Sequence, residues 1–169
     1  LDAIIKNKAT FVPAVPTIYI GLLGLPKFAH ADLSFVKGFF SGAAPLALET
    51  IEKLKKATGA DVIEAYGMTE STTVITLTPW RGKLKAGSAG VPIPNTELKI
   101  VDIQDGKTEM PIGKEGEIIF KGPQMLQGYY NKPEETAKAI KDGWFYTGDI
   151  GKLDEDGYLY IVDRKKDMI

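Results

Sequence analysis

Cysteine is absent from the 169 residues, and histidine occurs once. Without thiols the chain has no disulfide framework and no thiolate metal site, a composition compatible with a reducing cytoplasm. The single His30 sits in a polar stretch before Asp32. No nucleophile lies near it in sequence for a general base to act on, so a surface position is expected. An excess of either charge is also missing. Lys and Arg number 21 against 22 Asp and Glu, leaving a formal net charge of −1. A dedicated nucleic-acid binder gathers a basic excess on one face, so that class is excluded. Long apolar runs are lacking as well. The most apolar window, Phe11 to Pro26, carries three prolines and two glycines, and it is shorter than the ~20 residues of a membrane span. A buried strand followed by a short helix is expected there. The opening residues show no basic–apolar–small signal pattern, and there are no internal repeats or low-complexity tracts.

What remains is ordinary for a soluble globular chain, 25% charged and 44% hydrophobic. The length suits one domain or two small subdomains. The first part reads as α/β. Ala9 to Val15 is a compact apolar run ending at Pro16, with Thr17 placed to cap a helix through Leu23. Val36 to Phe40 is a second apolar run. Leu46 to Thr58 has the clearest helical pattern: Leu48, Ile51 and Leu54 sharing a face, Pro45 for its first turn, Gly59 for its end, and a Glu49–Lys53 pair. Asp61 to Ala65 then returns as a strand. Strand, helix and strand predict a parallel sheet. After Pro79 the pattern changes to short strands at Glu97 to Val101, Glu117 to Phe120, Ile150 to Leu153 and Tyr158 to Val162. Asp105-Gly106 and Asp156-Gly157 are hairpin-type turns. One helix interrupts them, with Pro133 at its start and Lys138 and Lys141 towards its end. The expected organisation is a parallel-sheet α/β portion over 1–80, then a small β-rich, barrel-like subdomain over 81–169.

Four stretches offer chemistry. Ser41-Gly42-Ala43-Ala44-Pro45 follows a strand with small residues that let a flat ligand approach the backbone; on the residues alone, a tight turn into the next helix is the favoured account. Tyr66-Gly67-Met68-Thr69-Glu70 combines an aromatic face, a hydroxyl and a carboxylate. Those groups suit a base, a phosphate oxygen and Mg²⁺, while a polar strand-end loop is the plain alternative. Tyr146-Thr147-Gly148-Asp149 ends in a carboxylate able to accept both ribose hydroxyls, or in a turn aspartate. Asp163-Arg164-Lys165-Lys166 is a basic run, solvated unless the site recruits Arg164.

Taken in this order, the four stretches resemble the ATP-dependent carboxylate-activating, AMP-binding enzymes: acyl-CoA synthetases, luciferases and peptide-synthetase adenylation domains. The resemblance runs from Leu1 to Ile169, and in detail it is most similar to a long-chain fatty acyl-CoA synthetase. It implies that Gly42, Ala43, Ala44 and Pro45 lie against adenine, with Glu64 and Ala65 beside it. Glu64 occupies a position where related enzymes often carry an amide, and its carboxylate can only accept. Tyr66 would pack on adenine, and Gly67 and Met68 would border the nucleotide. Thr69 and Glu70 would be the catalytic pair, Thr69 at the α-phosphate and Glu70 on Mg²⁺. Asp149 and Arg164 would grip the ribose and Ile161 pack near it. Val15, Ala43, Gly67 and Thr72 would line the acyl tunnel, and Lys166 would be the hinge to a C-terminal domain. The implied substrates are ATP, a fatty acid and CoA, with Mg²⁺ as cofactor. The implied location is cytoplasmic, with peripheral membrane contact left open. The family's phosphate loop is expected upstream of Leu1 and its C-terminal lysine downstream of Ile169; neither motif occurs within these residues. An aryl-CoA ligase, another adenylate-forming enzyme and a non-catalytic nucleotide-binding module are the rival readings.

Overall fold

In the computed structural model, which describes residues 1–165, helix α1 (Asp2–Asn7) leads into strand β1 (Phe11–Ala14) and helix α2 (Pro16–Leu23). Pro16 occupies the first turn of α2, where its missing N–H is not needed, and Val15 is the extended residue before it. Thr17, expected as the cap, therefore lies inside the helix. Strand β2 (Gly38–Ser41) runs parallel to β1, with Phe11 opposite Gly38 and Ala14 opposite Ser41. Helix α3 (Leu48–Thr58) then returns the chain to β3 (Asp61–Tyr66), which pairs parallel with β2.

Helix α3 departs from expectation at its start. Ala47 is its N-cap, so Pro45 stands outside the first turn. Leu54 is fully buried whereas Leu48 is 53% exposed. Steps of three residues fall about 60° short of a full turn, so two such steps carry Leu48 about 120° away from Leu54. Gly59 closes the helix in the left-handed conformation, with φ 73°. Glu49 and Lys53 pair at 2.6 Å on the solvent side, where water screens the pair.

The described residues fall into two compact units that interleave in sequence. Leu1–Ala65 belongs with Thr78–Gly87, and Tyr66–Leu77 belongs with the residues from Ser88 onward. The core of the first unit gathers Val12, Tyr19, Leu22, Phe28, Phe39, Leu54 and Val62. Tyr19 is fully buried. Its hydroxyl lies 2.8 Å from the Val12 carbonyl oxygen and 2.6 Å from that of Phe40, tying α2 to both parallel strands. Burial pushes its pKa up to about 12.

The second unit contains the short antiparallel pair β4 (Thr76–Leu77) and β5 (Val91–Pro92). It continues with β6 (Glu97–Val101), β7 (Gly116–Lys121), α4 (Pro133–Ala139), β8 (Ile140–Lys141), β9 (Trp144–Leu153) and β10 (Leu159–Arg164). The antiparallel order is β10-β9-β7-β6, with β8 also on β9, and the sheet curls into a half-barrel. Lys141 lies in β8 and not in the helix. Strand β9 begins at Trp144, well before the expected Ile150, because Phe145 and Tyr146 already pair with Phe120 and Ile119 of β7. Tyr146 to Asp149 is therefore part of a strand and not a terminal turn. Ile100, Ile118, Phe120, Phe145 and Leu159 form this unit's core with Tyr66 and Ile75, each contributing about 1.5–3 kcal/mol through burial. His30 is exposed, as expected. No helix among the described residues is long and apolar enough to cross a membrane.

Gly116 marks where the β6–β7 ladder is tightest. A Cβ there would sit 2.3 Å from the Val101 carbonyl oxygen and 2.9 Å from Ile100 Cγ2. Gly116→Ala should therefore destabilise the chain by about 1–3 kcal/mol through overpacking. A lowered urea midpoint checks this; an unchanged midpoint contradicts the packing described.

Candidate functional site

In the second unit, the chain leaving β3 at Tyr66 makes a tight loop. A Cβ on Gly67 would lie 1.7 Å from the Thr73 carbonyl oxygen, so no residue other than glycine fits. Thr69–Ser71 form one 3-10 turn. The buried Ser71 hydroxyl accepts from the Met68 amide at 3.0 Å and donates to the Met68 carbonyl at 2.9 Å. Thr72 and Thr73 take positive φ, and Ile75 N–H closes the loop on the Tyr66 carbonyl at 2.8 Å. The loop leaves Thr69 exposed and Glu70 half-buried. Glu70 Oε1 accepts from the Tyr129 hydroxyl at 2.9 Å, and its backbone carbonyl accepts from Leu126 N–H at 2.8 Å. Burial first, and the Glu70 hydrogen bond and charge after it, raise the Tyr129 pKa, so its phenol remains a donor.

Asp149 lies in β9 with only 5% of its surface exposed. Its Oδ2 accepts from the Tyr66 hydroxyl at 2.7 Å, and its Oδ1 faces Arg164 Nε at 3.1 Å across the β9–β10 ladder. Its amide donates to Thr147 Oγ1 at 3.0 Å, and that hydroxyl donates to the Ile118 carbonyl at 2.7 Å. Three residues separated widely in sequence thus meet around one carboxylate. Ile161 is exposed on β10 opposite Gly151, outside this contact. Thr72 is exposed, with its hydroxyl on the Gln124 carbonyl at 2.9 Å.

Two participants were missed by motif reading. Glu117 is buried in β7, accepts from Gly148 N–H at 3.2 Å through Oε1, and pairs through Oε2 with Lys165 Nζ at 2.7 Å. Lys165, expected as a solvated cation, is instead held by a buried carboxylate. A charge preceding Ile118-Ile119-Phe120 in an apolar strand was the available signal, because buried charges require partners. Tyr129 is the second, reaching Glu70 from 59 residues away with no motif to mark it. Lys166 lies outside the described residues.

In the first unit, Gly42 is half-buried and Ala43, Ala44 and Pro45 are exposed after β2. Ala43 has φ 71°, a left-handed conformation uncommon for a residue with a Cβ. Ser41 Oγ at the end of β2 is buried without a hydrogen-bond partner. Glu64 stands opposite Ser41 on β3, and its Oε1 accepts from the Leu46 amide at 3.1 Å. Burial raises its pKa, and the Leu46 N–H works in the other direction. Ala65 is half-buried beside it, and Val15 is exposed before α2. Among the described residues, no cluster of three or more His, Cys, Asp or Glu could hold a metal by protein ligands alone.

Comparison with known proteins adds the following. A family model for AMP-binding enzymes matches residues 1–130. A long-chain-fatty-acid–CoA ligase of Bacillus subtilis is 48% identical over the whole chain, which spans 30% of that relative's length. 4-Coumarate–CoA ligase 2 of Nicotiana tabacum is 41% identical, again over the whole chain and 32% of the relative. The crystal structure of ATP-bound MatB from Rhodopseudomonas palustris superposes with a TM-score of 0.91 at 37% identity, over 99% of this chain and 34% of that one.

The buried Glu64 generates a pH prediction. Its folded pKa is raised above the ordinary value of 4.5. The fold therefore binds this proton more tightly than the unfolded chain does. The associated stability is fully present below the unfolded pKa and is lost as pH rises through the folded one. Glu64→Gln keeps an acceptor for Leu46 and abolishes the titration. Its melting temperature should fall less than that of the wild type as pH rises from about 4.5 to neutrality. Parallel curves would remove Glu64 from the account.

Proposed function

The chain belongs to the family of AMP-binding enzymes, and from that membership we propose that its protein is an ATP-dependent fatty acid–CoA ligase. A carboxylate oxygen attacks the α-phosphorus of ATP, the bond to pyrophosphate breaks, and acyl-AMP forms. The CoA thiolate then attacks the acyl carbon and AMP leaves. The single observation that carries the reading is Asp149, a nearly buried carboxylate fixed by Tyr66 and Arg164. Its remaining lone pairs suit two vicinal hydroxyls, the group that a ribose presents.

Roles follow for the other residues. In the first unit, Gly42, Ala43, Ala44 and Pro45 form the adenine-facing loop, and Glu64 and Ala65 border the base. Glu64 can accept from the adenine amine, and burial raises its carboxyl pKa above the ordinary value. In the second unit, Thr69 donates to the α-phosphate from its exposed position, Gly67 and Met68 shape the loop, and Arg164 shares the ribose with Asp149. Ile161 packs near the nucleotide. Val15, Ala43, Gly67 and Thr72 contribute to the acyl path, and Lys166 serves as the domain hinge.

The donor set also fits Mg²⁺. Tyr129 occupies Glu70 Oε1, leaving Oε2 for a cation, and Mg²⁺ is commonly held by one or two carboxylates with substrate phosphates and water. When bound, it would neutralise charge on the phosphates during pyrophosphate departure. A long aliphatic acid is favoured by the 48% identity to the B. subtilis ligase. An aromatic acid is the second reading, on the 41% identity to the tobacco coumarate ligase.

The test is pyrophosphate release by the protein at its full length, across aliphatic and aromatic acids, with ATP and CoA. Fatty acids should give the highest kcat/KM; a preference for aromatic acids selects the second reading, and no release with any acid refutes both. Glu70→Gln should slow adenylation by at least the ~10–100-fold that loss of an outer-shell metal partner costs. Thioester formation from supplied acyl-AMP should suffer less. Equal losses in the two half-reactions would contradict the metal role.

A further inference from the structure

Two groups hold the Asp149 carboxylate, and they differ in kind. The Arg164 side chain is 61% exposed, so the cationic end of its pair with the 7%-exposed Asp149 side chain lies in solvent on a long flexible chain. Tyr66 is 8% exposed, and its ring belongs to the same buried cluster as Ile75, Ile118 and Phe120. Its hydroxyl sits 2.7 Å from Asp149 Oδ2. The other fixed contact, Asp149 N–H to Thr147, restrains the backbone and leaves the carboxylate torsion free. That terminal torsion is broad and two-fold in aspartate.

We infer that Tyr66 is a positioning residue for ribose recognition: its rigidly packed hydroxyl sets the rotation of the Asp149 carboxylate so that the remaining lone pairs face a vicinal diol. The inference rests on the reading of Asp149 as the ribose acceptor given above. Burial drives the phenol pKa far upward; the Asp149 charge adds to this and a Thr147 hydrogen bond opposes it. The donor is consequently present throughout the working pH range. The loop that starts at Gly67 and closes on the Tyr66 carbonyl then keeps the ring in place from the backbone side.

The experiment compares equilibrium binding of ATP and of dideoxy-ATP, which lacks both ribose hydroxyls, to the full-length protein and its variants. Wild type should prefer ATP on the order of 100-fold, from two hydrogen bonds to a charged acceptor. Tyr66→Phe should reduce that preference to roughly tenfold or less. Its affinity for dideoxy-ATP should stay within about twofold of wild type, since no diol is there to be positioned. Asp149→Ala should abolish the preference. A Tyr66→Phe protein that keeps the full preference, or that loses both nucleotides equally, overturns the inference. A wild type with no preference overturns the Asp149 reading instead, so the two failures are distinguishable. Should Tyr66→Phe not fold, para-amino- and para-fluorophenylalanine at position 66 fill the same space with and without a donor. The inference requires the diol preference in the amine alone, and equal preferences reject it.

Discussion

Asp149 carries a charge to a place that water barely reaches, and much of the second unit follows from that constraint. Removing an ion from water costs several kcal/mol unless close partners replace the hydration. One partner, Tyr66, comes from the end of β3, and the other, Arg164, comes from the last pair of the β9–β10 ladder. The register of β10 is therefore tied to the carboxylate as well as to the backbone hydrogen bonds. A shift of one residue would turn Arg164 to the opposite face and leave Asp149 half-paired.

The same solution recurs twice in this unit. Glu117 receives the Gly148 amide and Lys165, and Glu70 receives the Tyr129 hydroxyl. In each case one carboxylate is held by donors from distant segments, which restricts its motion. Glu117 and Asp149 secure consecutive residues, Lys165 and Arg164, at the end of the described chain. Fixed negative groups of this sort are suited to organising a polar ligand because their orientation is set before it binds.

Helices α2 and α3 and the parallel strands of the first unit were readable because their signals are local, whereas α1 was not foreseen. Gly59 ends α3 where a left-handed cap is required, and the short run from Asp61 continues as a strand with Val62 and Ile63 buried. The start of α3 was not readable, because Pro45 fits a first turn by propensity but the chain enters the helix only after Ala47. In the second unit, a turn was the plain alternative to a ribose contact for Asp149. Pairing with β7, a long-range event, makes it part of a ten-residue strand. The motifs Tyr66 to Glu70 and Tyr146 to Asp149 were visible as residue types. Their hydrogen bonding was not, since Tyr66 and Asp149 lie 83 residues apart and Glu70 and Tyr129 lie 59 apart. Nor does spacing reveal that the Tyr66 ring is core while its hydroxyl belongs to the site.

The central claim is that the protein activates a carboxylate by passing it through an acyl-adenylate. Heavy-oxygen label in the acid's carboxylate tests this most directly, because the bridging oxygen leaves with AMP when the thiolate attacks the acyl carbon. After turnover with ATP and CoA, the account predicts AMP carrying one oxygen from the acid. Unlabelled AMP, or label recovered in inorganic phosphate alongside ADP, would contradict it.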